Sequence, residues 1–152
     1  MVDLTNYCKT IQHAEKHRNK EMADCKAILF DMNDGGFVSS LGKKYGQACQ
    51  VDYIEMIENR VILIELKDLK EQLKNKTSKD ILNNLGKKYT KSIEIIQNAV
   101  PILYYVVVKN DTEIVVWDNL FSIKDIKIKF ENTSFEIYET NKICEKLSTL
   151  NT

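Results

Sequence analysis

Two acidic residues and a lysine have types and spacing suited to hydrolytic chemistry. Asp52 is followed thirteen positions later by Glu65, and Leu66 and Lys67 come directly after it. Paired carboxylates, with a backbone carbonyl such as that of Leu66, supply the oxygen ligands that Mg²⁺ or Mn²⁺ prefers. Such an ion activates water and stabilises a phosphoryl group under attack, while a lysine orients the water or neutralises charge. We expect Asp52, Glu65 and Lys67 to be catalytic, with Asp52, Glu65 and the Leu66 carbonyl as metal ligands.

A β-hairpin must position these residues. Two runs rich in Val, Ile and Tyr, residues 48–56 and 60–67, are joined by a short polar segment at Glu58 and Asn59. A turn centred there places Asp52 opposite Glu65, with Cβ atoms about 4.5–5.5 Å apart. Lys67, two residues after Glu65, projects from the same face.

Two interpretations of this trio remain open. If the strand ends emerge into solvent, the three residues form an ordinary surface ion-pair cluster, and a β-bulge would shift the register. Against this, unpaired charge is costly on an otherwise apolar strand pair, where isoleucine or valine would fit better. We therefore favour the functional interpretation.

Helices are expected on both faces of the hairpin, because both of its faces carry apolar residues. Apolar residues at helical spacing predict a long helix over residues 77–100, with Thr77 and Asp80 as a capping box and Pro101 ending it. Other predicted elements are a helix over 4–20, a strand or helix over 26–32, strands over 102–109 and 112–117, an edge hairpin over 126–138, and a terminal helix with Ile143, Leu147 and Leu150.

Residues 1–152 are predicted to form a single domain with a mixed α/β fold, in which a mixed β-sheet is flanked by helices. The chain has 22 basic and 22 acidic residues, which excludes a uniformly basic protein that coats nucleic acid. Its longest apolar stretches are far shorter than the roughly 20 residues of a membrane helix, so no membrane association is expected.

The N-terminal residues lack the apolar core of a secretory signal, so we expect a cytoplasmic protein. Four cysteines, at positions 8, 25, 49 and 144, have no zinc or iron–sulfur spacing, and buried reduced thiols are the expected state.

Asp52 with Glu65-Leu66-Lys67 resembles the signature of PD-(D/E)XK nucleases, the restriction-endonuclease-like superfamily. The order of a helix, a hairpin bearing the acids and lysine, a long helix and further strands is similar over residues 1–120. The resemblance implies a restriction-endonuclease-like fold, here with an added C-terminal hairpin and helix. It also implies an endonuclease that hydrolyses nucleic acid, expected to be DNA, with Mg²⁺ or Mn²⁺ as cofactor. Chain length and motif spacing look similar to archaeal Holliday-junction resolvases, which extends the expectation to branched DNA.

The chain departs from this family in two places. Val51 stands where many members have proline before the aspartate. Many members also have a metal-binding glutamate on the first helix, for which Glu15 or Glu21 would be the counterpart. Glu15 is kept as a candidate metal ligand, although a solvated helix face explains either residue.

Residues 60–91 contain nine basic and four acidic residues beside the proposed site. Their lysines can contact the phosphate backbone of nucleic acid without reading bases. A lysine-rich solvated surface is the competing interpretation. The candidate nucleic-acid-binding residues are Lys70, Lys74, Lys87, Lys88 and Lys91, the last three on the polar side of the long helix.

Two other classes of function are kept beside the nuclease. One is a non-catalytic nucleic-acid-binding or assembly module that retains the fold, and the other is an interaction protein with a structural ion-pair cluster. Metal binding and turnover distinguish the three. A homodimer is a further expectation, because a symmetric pair of sites suits the cutting of two strands, with the hairpin over 126–138 as its interface.

Overall fold

The computed structural model describes residues 4–13, 21–31, 36–41, 49–96, 99–110, 112 and 133–150. Within these residues, six strands form one mixed sheet in chain order. Strands β1 to β4 are antiparallel, β5 runs parallel to β4, and β6 runs parallel to β5. The strands are β1 (Cys8–Gln12), β2 (Met22–Leu29), β3 (Tyr53–Ile57), β4 (Arg60–Lys67), β5 (Val100–Val108) and β6 (Ser134–Glu139). The helices are α1 (Phe37–Ser40), α2 (Leu69–Gln72), α3 (Ser78–Ile95) and α4 (Thr140–Thr149), after a 3₁₀ turn over Leu4–Tyr7. A mixed sheet with helices, as predicted, is therefore the fold class.

The β3–β4 hairpin has the predicted register. Met56 pairs with Val61 and Ile54 with Leu63. Glu58, in the two-residue turn, has a φ of 57°, the left-handed conformation that tight hairpin turns require. Strand β3 begins only at Tyr53, so Asp52 lies just before the strand rather than within it.

Helix α3 covers one face of the sheet. Its capping box is present: the Asp80 N–H donates to the Thr77 hydroxyl, and the Thr77 N–H donates to the Asp80 carboxylate. Its apolar side packs on the hairpin and on β5, with buried residues that include Leu82, Leu85, Leu63 and Tyr104. The helix ends at Ile95, before Pro101, so the prediction that this proline ends it is wrong. Pro101 instead lies near the start of β5, where a missing N–H is tolerated.

Helix α4, the predicted terminal helix, covers the opposite face. Ile143 and Leu147 pack against Ile62, Ile64 and Tyr105. A disulfide between Cys25 in β2 and Cys144 in α4 joins the helix to the sheet, with Cα atoms 5.6 Å apart. The prediction of reduced thiols is therefore wrong for this pair, because cysteine spacing carries no information on pairs brought together by tertiary packing. Cys8 and Cys49 are free, and Cys8 is exposed rather than buried.

The N-terminal segment differs from its prediction. Residues 4–20 were expected to be helical, but β1 occupies Cys8–Gln12 and pairs with β2, Cys8 facing Ile28. The stripe of apolar residues is short, and backbone pairing with a neighbouring strand decides between helix and strand in such a segment. The ambiguous segment 26–32 contributes to β2.

Several predicted elements lie outside the described residues. These include most of the strand over 112–117 and the first limb of the hairpin over 126–138. The second limb of this predicted hairpin lies in β6, which is the last strand of the sheet. Among the described residues, no helix combines the length and apolar character needed to cross a membrane.

Candidate active site

Asp52 and Glu65 lie side by side where β3 begins and β4 approaches its end. The Asp52 N–H donates to Oε1 of Glu65 over 3.1 Å, and the Leu66 N–H donates to Oδ2 of Asp52 over 2.9 Å. The Asp52 carbonyl accepts from the Phe30 N–H at 2.9 Å, which ties this corner to β2. The two acids are thus adjacent, as the register predicts, and their backbone contacts fix them.

Two lysines complete the site. Glu65 is buried, with 1% of its side chain exposed. Its Oε2 lies 3.5 Å from Nζ of Lys67 and 2.5 Å from Nζ of Lys88. Lys67 also donates to Oδ1 of Asn84 on α3 over 2.6 Å. The charged groups therefore neutralise one another inside the fold and do not form a surface ion-pair cluster.

Lys88 is the site residue whose position differs most from the expectation. The sequence predicts it on the polar side of α3, but its side chain turns to the sheet and is only 22% exposed, whereas its contact with nucleic acid stays a prediction. Lys88 follows Leu85 by three positions, a helical spacing that leads back to the buried face. Asn84, one turn earlier on α3, is a site residue that the sequence pattern does not indicate.

Burial and neighbouring charges set the pKa values of these groups. Burial, followed by the charge of Asp52, raises the pKa of Glu65 to about 8, although Lys88 and Lys67 act in the opposite direction. Burial lowers the pKa of Lys67, and the attraction of Glu65 offsets only part of this effect. Burial also acts to lower the pKa of Lys88, but the charges of Glu65 and Asp52 outweigh it and raise that pKa. Lys67 is therefore the lysine better suited to exchange a proton, and Lys88 is the more persistent cation.

Surrounding groups hold the site in place. The buried Ser92 hydroxyl on α3 accepts from the Val51 N–H at 2.9 Å, so the helix positions the residue before Asp52. The Tyr104 hydroxyl donates to the Leu85 carbonyl over 3.0 Å beneath the same helix. Asp31, at the end of β2, is buried, and its charge acts on Lys88.

The donor set suits a hard divalent ion that keeps part of its water shell. A residue in an extended strand directs its N–H and C=O to the same side, so the Leu66 carbonyl faces the side of Asp52. Among the described residues, no group of three or more His, Cys, Asp or Glu side chains is arranged to hold a metal. An ion at this site would use the carboxylates of Asp52 and Glu65, the Leu66 carbonyl and water, a set typical of Mg²⁺.

The other candidate residues lie elsewhere. Glu15 lies outside the described residues. Glu21 accepts from the Asn110 N–H and from the Thr140 hydroxyl, which are not part of this site. Four candidate lysines are exposed around α2 and α3; two of them pair with acids, Lys74 with Glu71 and Lys91 with Glu94. The exposed four are Lys70, Lys74, Lys87 and Lys91.

Comparison with protein-family models, with curated proteins and with solved structures finds no match to this chain.

Proposed function

We propose that the chain is a divalent-metal-dependent nuclease of the PD-(D/E)XK type that hydrolyses phosphodiester bonds in DNA, including branched DNA. The observation that carries the proposal is the contact between Asp52 and the buried Glu65, with Lys67 beside them. Burial of Glu65 beside the half-buried Asp52 at the open end of a hairpin costs free energy, which a bound cation would offset. Retention of both acids at such a position favours a metal site.

Each residue has a role in this proposal. Asp52 and Glu65 bind Mg²⁺ or Mn²⁺ through their carboxylates, with the Leu66 carbonyl as a third protein ligand. The ion, when bound, lowers the pKa of a water molecule and polarises the phosphate. Lys67 orients that water and accepts its proton, a role that suits an amine whose pKa burial has lowered. Asn84 keeps the Lys67 amine in place through its 2.6 Å hydrogen bond.

The exposed lysines on α2 and α3 are proposed to contact the phosphate backbone. Lys70 and Lys87 are exposed and lie close in sequence to site residues on β4 and α3. Contacts of this kind add affinity that falls with salt and is independent of base sequence. A homodimer and a cytoplasmic location remain predictions that accompany the nuclease.

The experiment is incubation of purified protein with labelled single-stranded, duplex and branched DNA, and with RNA, in Mn²⁺, Mg²⁺ or EDTA. We expect cleavage of DNA in Mn²⁺ or Mg²⁺ and none in EDTA. Glu65→Ala should abolish cleavage because it removes a metal ligand. An inactive native protein, or equal cleavage by Glu65→Ala, would overturn the proposal.

A non-catalytic nucleic-acid-binding or assembly module is the second candidate, and one observation favours it. Glu65 forms ion pairs with Lys67 and Lys88, and its Oε1 accepts a hydrogen bond from a backbone N–H. The carboxylate therefore has polar partners within the chain and does not need a metal for neutralisation. A protein of this second class would bind DNA in EDTA as tightly as in Mn²⁺ and would show no turnover.

A further inference from the structure

Lys88 and the proposed metal would compete for one oxygen atom. Oε1 of Glu65 accepts from the Asp52 backbone N–H, whereas Oε2 lies beside the ammonium groups of Lys67 and Lys88. A metal coordinated by Oε2 at about 2.1 Å would lie within roughly 5 Å of a Lys88 ammonium that kept its present contact. Two such charges repel strongly at this distance in a buried site. One of the two lysines must therefore move.

Lys88 is the lysine that is free to move. Lys67 has only 6% of its side chain exposed and is held by Asn84 as well as by Glu65. Lys88 has 22% of its side chain exposed, more than the 6% of Lys67. Rotation of its long side chain would move the charge towards solvent without displacing the backbone of α3.

We infer that Lys88 is a substrate-contacting residue, an inference that rests on the proposed metal site. In the metal-free protein its ammonium holds Glu65. With a divalent ion bound at Glu65, the Lys88 ammonium would leave this carboxylate and contact an oxygen of the phosphodiester substrate.

Charge supports this exchange. Glu65 has two ammonium groups at one carboxylate oxygen, so a divalent ion at that oxygen would leave one of them without this partner. A lysine ammonium displaced beside such a site would attract an anionic phosphodiester oxygen.

The test is amine-selective labelling of the wild-type protein with and without saturating Mn²⁺, read by mass spectrometry at Lys88 and at Lys142. Lys142 is an exposed lysine on α4 and is the internal reference. We expect Mn²⁺ to raise the labelling of Lys88 towards that of Lys142, whose own labelling stays constant. Calorimetry on the same sample establishes that Mn²⁺ is bound.

A second measurement tests the contact with substrate. Binding of a phosphodiester duplex and of a neutral methylphosphonate duplex is measured in Mn²⁺, in a Lys67→Met background that slows turnover. Adding Lys88→Met should weaken binding of the phosphodiester duplex but not of the methylphosphonate duplex. For the phosphodiester duplex it should also reduce the slope of log affinity against log salt concentration by about one. Adding Lys142→Met should change neither the affinity nor the slope.

The outcomes separate this inference from the proposed function. If Mn²⁺ binds but Lys88 labelling stays low, or if Lys88→Met leaves phosphodiester binding unchanged, the inference is wrong and the metal site stands. If Mn²⁺ does not bind at all, the proposed function and the inference both fail. If Mn²⁺ binds, Lys88 behaves as expected and no nucleic acid is cleaved, the inference holds and the nuclease proposal is wrong.

Discussion

Lys88 places its Nζ 2.5 Å from Oε2 of Glu65, although the lysine belongs to α3 and the glutamate to β4. This contact connects the helix that covers the sheet with the acid at the centre of the candidate active site. It leaves the metal-free site neutralised by groups of the chain itself. In the account we propose, a divalent ion at this site would take the place of the Lys88 ammonium at Glu65.

Substitution of Lys67 by methionine should separate catalysis from metal binding. Methionine retains the length of the side chain but cannot orient or deprotonate water, and loss of such a group costs about 10²- to 10⁴-fold in rate. Affinity for Mn²⁺ should change little, because both carboxylates remain. Single-turnover cleavage and calorimetry measure the two quantities, with Lys142→Met as the control. Unchanged cleavage by Lys67→Met would remove this lysine from the mechanism.

Glu55 should make the stability of the fold depend on pH, and its raised pKa determines the direction. Burial raises its pKa, so the folded protein keeps a proton that the unfolded chain has already lost. Folding stability contributed by this group is complete below the unfolded pKa of about 4.3 and is lost as pH rises through the folded pKa.

Glu55→Gln should therefore be more stable than the wild type at pH 7 by a few tenths of a kcal/mol, since solvent screens a half-buried carboxylate. The difference should vanish near pH 3.5. Urea denaturation at the two pH values measures it, and the titration of Glu65 cancels because both proteins contain that residue. A difference that grows towards low pH would contradict the assignment.

Reduction of the Cys25–Cys144 disulfide should lower the free energy of unfolding by about 3–5 kcal/mol, because the bond closes a long loop in the unfolded chain. The two cysteines are separated by 119 positions. The exposed Cys8 supplies the control, since Cys8→Ser removes a thiol that takes no part in the bond. Denaturant titration with and without a reductant tests this prediction. Equal stability of the oxidised and reduced forms would mean that the bond does not form in solution.

The capping box at the start of α3 should be needed to position the site. Thr77→Ala removes the hydroxyl that accepts from the Asp80 N–H and should destabilise the fold by about 1 kcal/mol. Thr77→Ser keeps that oxygen and should lose much less. Because Asn84 and Lys88 both lie on this helix, fraying of α3 in Thr77→Ala should also increase the labelling of Lys88. Equal stability of the two variants would show that the cap contributes nothing.

The hairpin and α3 could be predicted because their signals are local. Alternating apolar residues and a two-residue turn determine which residues face one another, so the proximity of Asp52 and Glu65 follows from counting positions. The Thr77 and Asp80 capping box marks the start of α3 in the same way. The end of α3 is less well marked in the sequence, because the helix ends at Ile95 and Pro101 already belongs to β5.

The remaining features depend on contacts between distant parts of the chain. Strand β1 exists because β2 supplies its backbone partners, and residues 4–20 alone have a helical spacing as well. The partnership of Cys25 with Cys144 requires α4 to lie on β2. Lys88 was assigned to the solvent face because lysines are usually exposed, and only the position of Glu65 on the neighbouring sheet explains why it turns inward.

Calorimetric titration of Mn²⁺ into Glu65→Gln and Glu55→Gln tests the central claim most directly. Both variants lose one carboxylate from the same hairpin, but strand alternation places Glu55 on the face opposite Glu65. The account predicts that the wild type and Glu55→Gln bind one Mn²⁺ ion with similar affinity and that Glu65→Gln binds none. Mn²⁺ binding by Glu65→Gln that equals binding by the wild type would contradict it.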